Sequence, residues 1–483
     1  MASITPLKVL SQQEMQQIHA ASMELLAKLG VNITQPVMQE LLAAAGATVD
    51  KTKNRVYFPK ELVEESLKKV PREFVLAARE KQYDLAFPHP GHSFYAQSGT
   101  GMQNIIDFDT NSCRYVERKD VEQWVRLIHK LERIDICSLP SPIDTPEKTR
   151  DVHLLAIALQ HTTKHIMVQP YSSQSIPYLC ELAVLAAGGK ESLRQNPVIS
   201  IVTCSIAPLS YKDFDVDLII AAGEYGIPLH VASLTSASGS GPITVAGSIA
   251  QSNAEILAGI VMVQTVCPGL PVIGVTIQLP LNMTNGIALQ SSAEAALGDN
   301  AGIQMLQDYY HLPARTQGFG SDSLYGDSQM IQDNTFIHMA TALAGTDILI
   351  GAGSLECLNT ISLPKLVADN EMIGMMKHYT QGVLVNEDTL AVDAIREVLA
   401  DGSSYIVLDH TLEHCRDAYL PQIMDRKGRM GDSEAGFAPN GELLDRAKKI
   451  ALDILSSAPE PKLAPDIQAG IENILAKADA ALT

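Results

Sequence analysis

The sequence predicts an α/β chain built around a closed (β/α)8 barrel, with a helical extension at each end. Three observations predict it. Eight short β-rich runs alternate with eight longer helical patterns between about residues 93 and 380, at the size of βα repeats. Their order never visibly reverses, which fits a closed barrel better than an open doubly wound sheet. Each apolar run ends in small, polar or Gly/Pro residues, such as Gln97-Ser98-Gly99-Thr100-Gly101 and Phe319-Gly320-Ser321-Asp322. Such ends line the mouth where barrel enzymes keep their chemistry.

Residues 1–90 read as a helical extension. Ser11–Leu29 carries apolar residues at helical spacing and is stopped by Gly30, while Pro36–Ala45 and Pro59–Val70 each place Pro near a first turn. Residues 91–380 hold the barrel. Its strands are expected near Ser93–Gln97, Ile134–Ser138, His165–Gln169, Val198–Cys204, Pro228–Leu234, Val272–Ile277, Ala314–Gly318 and Asp347–Gly351. Helices are expected at Val116–Glu132, Glu147–His161, Ile176–Ala187, Asp213–Tyr225, Thr244–Val266, Ala293–Tyr310, Ser328–Ala344 and Pro364–Tyr379. Beyond them, residues 381–483 read as four helices, Thr389–Leu399, Thr411–Tyr419, Gly441–Ser456 and Pro465–Ala481, with a linker at Asp425–Gly436.

Composition removes several function classes. Hydrophobic residues at 46% allow a sizeable core, and a net charge of −19 disfavours nucleic acid or an anionic membrane as partner. Seven scattered cysteines contain no CxxC, so neither a disulfide framework nor a cysteine zinc knuckle is expected. The N-terminus lacks the pattern of a secretory signal. The most apolar stretch, Ile249–Pro271, is interrupted by Gln251, Asn253, Glu255 and Gln264, which disfavours a membrane span. A cytoplasmic chain is expected.

Familiar motifs fail. Gly351-Ala352-Gly353 follows a strand, but Glu356 replaces the third glycine of a dinucleotide fingerprint. His410-Thr411-Leu412-Glu413-His414 matches the H-x-x-E-H zinc-peptidase spelling, yet lies outside the barrel repeat; a capped helix accounts for it better, and no metal is expected. At the strand ends stand Gln97, Gln169, Gln278, Asp322, Asp327 and Glu356, polar groups on several strands, as a barrel site needs. Tyr95, Tyr171, Phe319 and Tyr325 lie near them in a chain only 5% aromatic, suggesting a wall for a cation.

Several stretches resemble the trimethylamine methyltransferase family. They are the helix Gly241–Gly259, the loop Gly320-Ser321-Asp322-Ser323 with Asp327-Ser328-Gln329, the pair Gly351–Glu356 and Leu366–Glu371, and the tail His410–Arg416. The resemblance runs from about Ser93 to the C-terminus. It implies a barrel that moves a methyl group from a methylated amine to the Co(I) of a separate corrinoid protein, with no covalently bound cofactor. The founding members carry pyrrolysine; here Thr316–Gln329 spells only ordinary residues. That implies a quaternary amine such as glycine betaine, proline betaine or carnitine, and the chain is expected to be a homo-oligomer. Glu356 and Asp322 are the catalytic candidates. Tyr95, Phe319, Tyr325 and Glu356 are candidate cation contacts, and His311, Arg315, Gln169 and Gln97 candidate carboxylate contacts. Two other readings stay open: a lyase or hydratase using Asp322 and Glu356 as an acid-base pair, and a non-catalytic betaine-binding subunit.

Overall fold

The computed structural model describes residues 4–91, 93–426, 442–457, 461 and 463–483. Eight parallel strands close into a barrel: β1 (Tyr95–Ser98), β2 (Ile136–Cys137), β3 (His165–Val168), β4 (Ile199–Cys204), β5 (Leu229–Thr235), β6 (Val272–Gln278), β7 (Ala314–Gln317) and β8 (Ile348–Ala352). Each pairs with the next in chain order, and β8 returns to β1 with Tyr95 beside Ile348 and Gln97 beside Ile350. Outside lie α1 (Arg118–Lys130), α2 (Arg150–His161), α3 (Ile176–Ala187), α4 (Asp213–Tyr225), α5 (Val245–Val266), α6 (Ala293–Gln304), α7 (Ser328–Leu343) and α8 (Leu363–Thr380). Every expected strand and barrel helix is present. The sixth helix continues beyond α6 as a wider π turn, Met305–Tyr309.

Strand alternation sorts the side chains. Residues level with one another on adjacent parallel strands share a face. Arg315 is level with Val275 and Ile348, Gln317 with Ile350, and His230 with Val202 and Ile273. Those apolar partners form one cluster inside the barrel, whereas Ala96, Ile166, Ile199, Leu229 and Leu349 belong to the larger core under the helices. Arg315, Gln317 and His230 therefore face the lumen.

Helix α5 is long and apolar enough to cross a membrane, yet 83% of its most apolar window is buried within the fold. Two of its buried polar residues are well partnered there. Asn253 Nδ2 donates to Ser22 Oγ and the Tyr310 hydroxyl, both at 2.8 Å, and Glu255 accepts from Ser233 Oγ at 2.7 Å and Leu209 N–H at 2.9 Å.

The three helices expected in the first ninety residues are present, as Gln12–Glu24 with its π turn Leu25–Leu29, Pro36–Ala44 and Lys60–Lys69, and short strands that were not expected accompany them. Strands Val31–Ile33, Thr48–Asp50 and Arg55–Tyr57 join Ser210–Tyr211 in a four-stranded sheet, and Phe74–Leu76 pairs with Leu85–Phe87 as a hairpin. Runs of three residues are too short for a two-residue alternation to show in sequence. The hairpin plugs the barrel's N-terminal end. Its Ala86 carbonyl accepts the Tyr95 hydroxyl at 2.9 Å, and the Ala77 carbonyl just beyond its first strand accepts His165 Nδ1–H at 2.7 Å.

At the other end, helix Leu443–Ser457 packs against α8, and Pro465–Leu482 packs on α2 and α3, where Asp479 accepts Thr149 Oγ1 at 2.6 Å. The expected helix Thr389–Leu399 is two short ones, Glu387–Leu390 and Val392–Asp401, hinged at Ala391 with φ 52°. Thr411–Tyr419 is instead Asp409–His414. Beyond Arg426, the expected linker lies outside the described residues.

Candidate active site

The lumen holds polar groups whose partners are incomplete. His165, Ser200 and His230, on β3, β4 and β5, form a hydrogen-bonded chain whose proton order can be derived. His165 Nδ1 must donate to the Ala77 carbonyl, so its Nε2 is bare; burial holds this ring neutral, its pKa pushed down to about 4. Ser200 Oγ therefore donates to His165 Nε2 at 2.9 Å and accepts from His230 Nε2–H at 2.8 Å. This leaves His230 Nδ1 as a bare acceptor with no partner among the described residues. Burial, and then the nearby positive charge of Arg315, keeps His230 neutral.

Arg315 is 2% exposed. Its Nε and one terminal nitrogen have no hydrogen-bond partner among the described residues. Desolvation pushes its pKa down to about 10, and its charge bears on Cys204 as well as His230. A buried, uncompensated charge costs several kcal/mol. Gln97 and Gln317 flank Ile350 at one level, two strand spacings or about 10 Å apart. Gln97 Nε2 donates to Ser138 Oγ at 2.8 Å, and Gln317 Nε2 to Asp299 Oδ2 at 2.7 Å. The Oε1 of each is buried without a donor among the described residues.

The rim comes from the loops after β7 and β8. Asp322 accepts the Gln290 and Ser291 backbone N–H groups at 2.9 and 3.0 Å, clamping the loop between β6 and α6; burial raises its pKa. Glu356 accepts Thr360 Oγ1 at 2.6 Å, and its N–H donates to the Ser323 carbonyl at 3.0 Å. Glu356, Cys357 and Leu358 are consecutively left-handed, at φ 52°, 49° and 65°. Backbone of this kind in non-glycine residues stores strain and concentrates at functional loops. Gly353, at φ 82°, lies so close to Trp124 that a Cβ would meet its ring at 2.4 Å. Packing therefore explains the Gly351-Ala352-Gly353 spelling.

Behind the rim, Lys365 and Asp369 on α8 form a fully buried ion pair at 2.7 Å. Lys365 Nζ also donates to the Phe319 carbonyl at 2.8 Å, while Asp369 accepts Gly353 N–H and Asn334 Nδ2, each at 2.7 Å. One network thus holds the exits of β7 and β8 and helix α7.

The expected contacts divide. Arg315 and Gln97 lie in the lumen, and Gln169 stands at the end of β3, accepting Thr100 Oγ1 at 3.2 Å. The aromatic wall does not assemble. Tyr95 sits at the plugged end against Phe87 and His89, its pKa raised to about 12 chiefly by burial. Phe319 is buried under α7 with its ring 4.3 Å from that of His338. Tyr325 is 62% exposed, lining a groove of about 820 Å³ with Phe108 and Leu444. His311 is exposed in the turn before β7, at the N-terminal face opposite the mouth. Gln278 points outward, its Cγ 2.6 Å from where a Cβ on Gly298 would stand, and Asp327 caps α7 by accepting Met330 N–H at 3.0 Å. The sequence reading missed His230, Gln317, Asp299 and the Lys365–Asp369 pair. The i,i+4 spacing of Lys365 and Asp369, the second of them inside the family-like stretch Leu366–Glu371, was the available signal.

Known proteins place this arrangement. The pattern defining the trimethylamine methyltransferase (MTTB) family matches residues 1–483. A trimethylamine methyltransferase of Desulfitobacterium hafniense is 31% identical over 467 residues, covering 96% of this chain and 93% of its own. One from Methanosarcina mazei is 32% identical over 487 residues, covering 98% and 96%. A glycine betaine methyltransferase of Desulfitobacterium hafniense is 28% identical over 473 residues, covering 97% and 96%. The whole-length match, together with more than 30% identity to relatives aligned almost end to end, shows that this chain belongs to the trimethylamine methyltransferase family and is a methyltransferase.

Proposed function

We propose that the protein takes a methyl group from a carboxylate-bearing quaternary amine of the betaine type and passes it to the Co(I) of a separate corrinoid protein, in the cytoplasm. The carrying observation is Arg315, a buried guanidinium with two nitrogens unpaired among the described residues, in the same lumen as three acceptors that find no donor among them, His230 Nδ1, Gln97 Oε1 and Gln317 Oε1. That set complements a zwitterion. A carboxylate would satisfy the guanidinium by charge-assisted hydrogen bonds. A quaternary ammonium has no N–H to donate, and its polarised methyl groups suit bare acceptors. The relative named for glycine betaine supports the same substrate class.

The chain's own work is to bind, orient and exclude water. Arg315 would fix the carboxylate, and the lumen would hold the ammonium with one methyl toward the mouth. The C–N bond breaks with its electron pair kept by the departing tertiary amine, and the methyl carbon is taken up by the electron pair of Co(I). Since the leaving amine is neutral, no side chain need protonate it. This favours the methyl-transfer reading over an Asp322–Glu356 acid-base pair, because Asp322 is already occupied by two backbone N–H groups.

Calorimetry tests the reading. Glycine betaine should bind, and Arg315→Met should weaken it at least tenfold, about 1.4 kcal/mol, while tetramethylammonium, which has no carboxylate, changes little. Equal losses for both ligands would remove Arg315 from carboxylate recognition. We assign Glu356 to offsetting the substrate cation at the rim. Glu356→Gln can keep the Thr360 contact, and kcat/KM should fall at least tenfold, about 1.4 kcal/mol. Unchanged kinetics would leave Glu356 only its loop-holding contact.

A further inference from the structure

The motif His410–His414, which methyl transfer leaves unused, meets a third ligand in the fold. His410 and His414 occupy one turn of helix Asp409–His414, with ring centroids 4.5 Å apart. Asp388, on helix Glu387–Leu390, brings a carboxylate oxygen to 3.1 Å from His414 Nε2. One ligand atom from each of the three residues lies within 4.8 Å of the others. A tetrahedron of nitrogen and oxygen ligands at about 2.0–2.1 Å from zinc has edges of about 3.3–3.4 Å, so small side-chain adjustments would close the site. The Asp388 carbonyl, 3.1 Å from His410 Nε2, offers another oxygen within reach.

A second observation supports a ligand here. His414 Nδ1 faces Asp417 Oδ2 at 2.6 Å. A carboxylate on the far nitrogen fixes the ring and leaves Nε2 free to ligate, the outer arrangement that supports histidine–metal bonds. The surrounding segment also has little core. Val383, Leu399, Ile406, Val407 and Leu412 are each more than 70% exposed, while Ala394 and Leu408 are its buried apolar residues. Segments unable to bury an adequate core gain most from a metal staple.

We infer that Asp388, His410 and His414 form a structural zinc site that ties the two halves of the segment after α8 together. Imidazole with carboxylate suits zinc among common divalent ions. The position favours structure over chemistry: α8 runs from the mouth toward the opposite face, and the segment begins where α8 ends.

The test uses the untagged full-length chain, stripped with a chelator, reloaded with zinc and passed through gel filtration. About one zinc per chain should be retained. His410→Ala with His414→Ala should abolish retention, and Asp417→Asn should weaken zinc binding roughly tenfold or more. Zinc should raise the unfolding temperature of the wild type and slow proteolysis between residues 402 and 408, with neither effect in the double variant. If that variant fails to fold, cobalt(II) added to the stripped wild type decides: visible bands of tetrahedral nitrogen–oxygen ligation support the site. A featureless spectrum, or zinc retained equally without the two histidines, overturns it.

Discussion

Asp299 is wholly buried, accepting Gln278 N–H at 2.8 Å on one carboxyl oxygen and Gln317 Nε2 at 2.7 Å on the other. Desolvation outweighs these donors and pushes its pKa up to about 8. The folded chain therefore keeps this proton between about pH 4 and pH 8, while the unfolded chain has lost it. Stability should decline with rising pH across that window, by at most about 1.4 kcal/mol per pH unit, and level off above it. Asn resembles the neutral acid, so Asp299→Asn should flatten this part of the slope. Urea titrations of both chains at several pH values between 5 and 8 measure it; identical slopes would mean that Asp299 is ionised in the fold. Such a residue could not be read from sequence, where nothing distinguishes one Asp in a helix from its solvated neighbours. Arg315 was legible only as a candidate, because the two-residue alternation of β7 decides that it faces inward and four residues barely display it. Tyr95 and Phe319 misled for the same reason: nearness to a strand end in sequence does not say which end of the barrel, or which face, the ring will occupy.

Among elements, the exits of β7 and β8 are held from behind by α8 through Lys365 and Asp369. Removing one partner of a buried pair leaves a charge without compensation, which costs about 3–5 kcal/mol. Lys365→Met should therefore destabilise the protein by about that much, and Asp369→Leu comparably. The double variant should cost clearly less than their sum, because neither charge is then stranded. Denaturant unfolding of the four chains gives the coupling; strict additivity would show that the two residues act independently. The barrel's elements were more legible than this network. Helices α3 and α4 match their expected bounds to the residue because each has a long apolar pattern ended by a glycine, Gly188 or Gly226, in left-handed conformation. The three-residue strands of the N-terminal sheet and the plugging hairpin carry no comparable pattern.

At the scale of the whole molecule, a closed barrel presents one mouth, an N-terminal hairpin closes the other end, and the last two helices wrap the outside. The barrel was readable because eight repeats of one unit reinforce one another, each adding evidence for its neighbours. The lumen's chemistry was not, since it depends on register between strands far apart in the chain. The proposed substrate follows from that lumen and from the ordinary residues of Thr316–Gln329, which offer no electrophilic ring to activate a neutral amine. The most direct measurement mixes the protein with cob(I)alamin and follows loss of Co(I) absorbance on adding glycine betaine, proline betaine, carnitine or trimethylamine. At least one betaine should consume Co(I) and yield the tertiary amine and methylcobalamin in equal amounts, with negligible turnover of trimethylamine. Trimethylamine emerging as the best methyl donor would contradict the account.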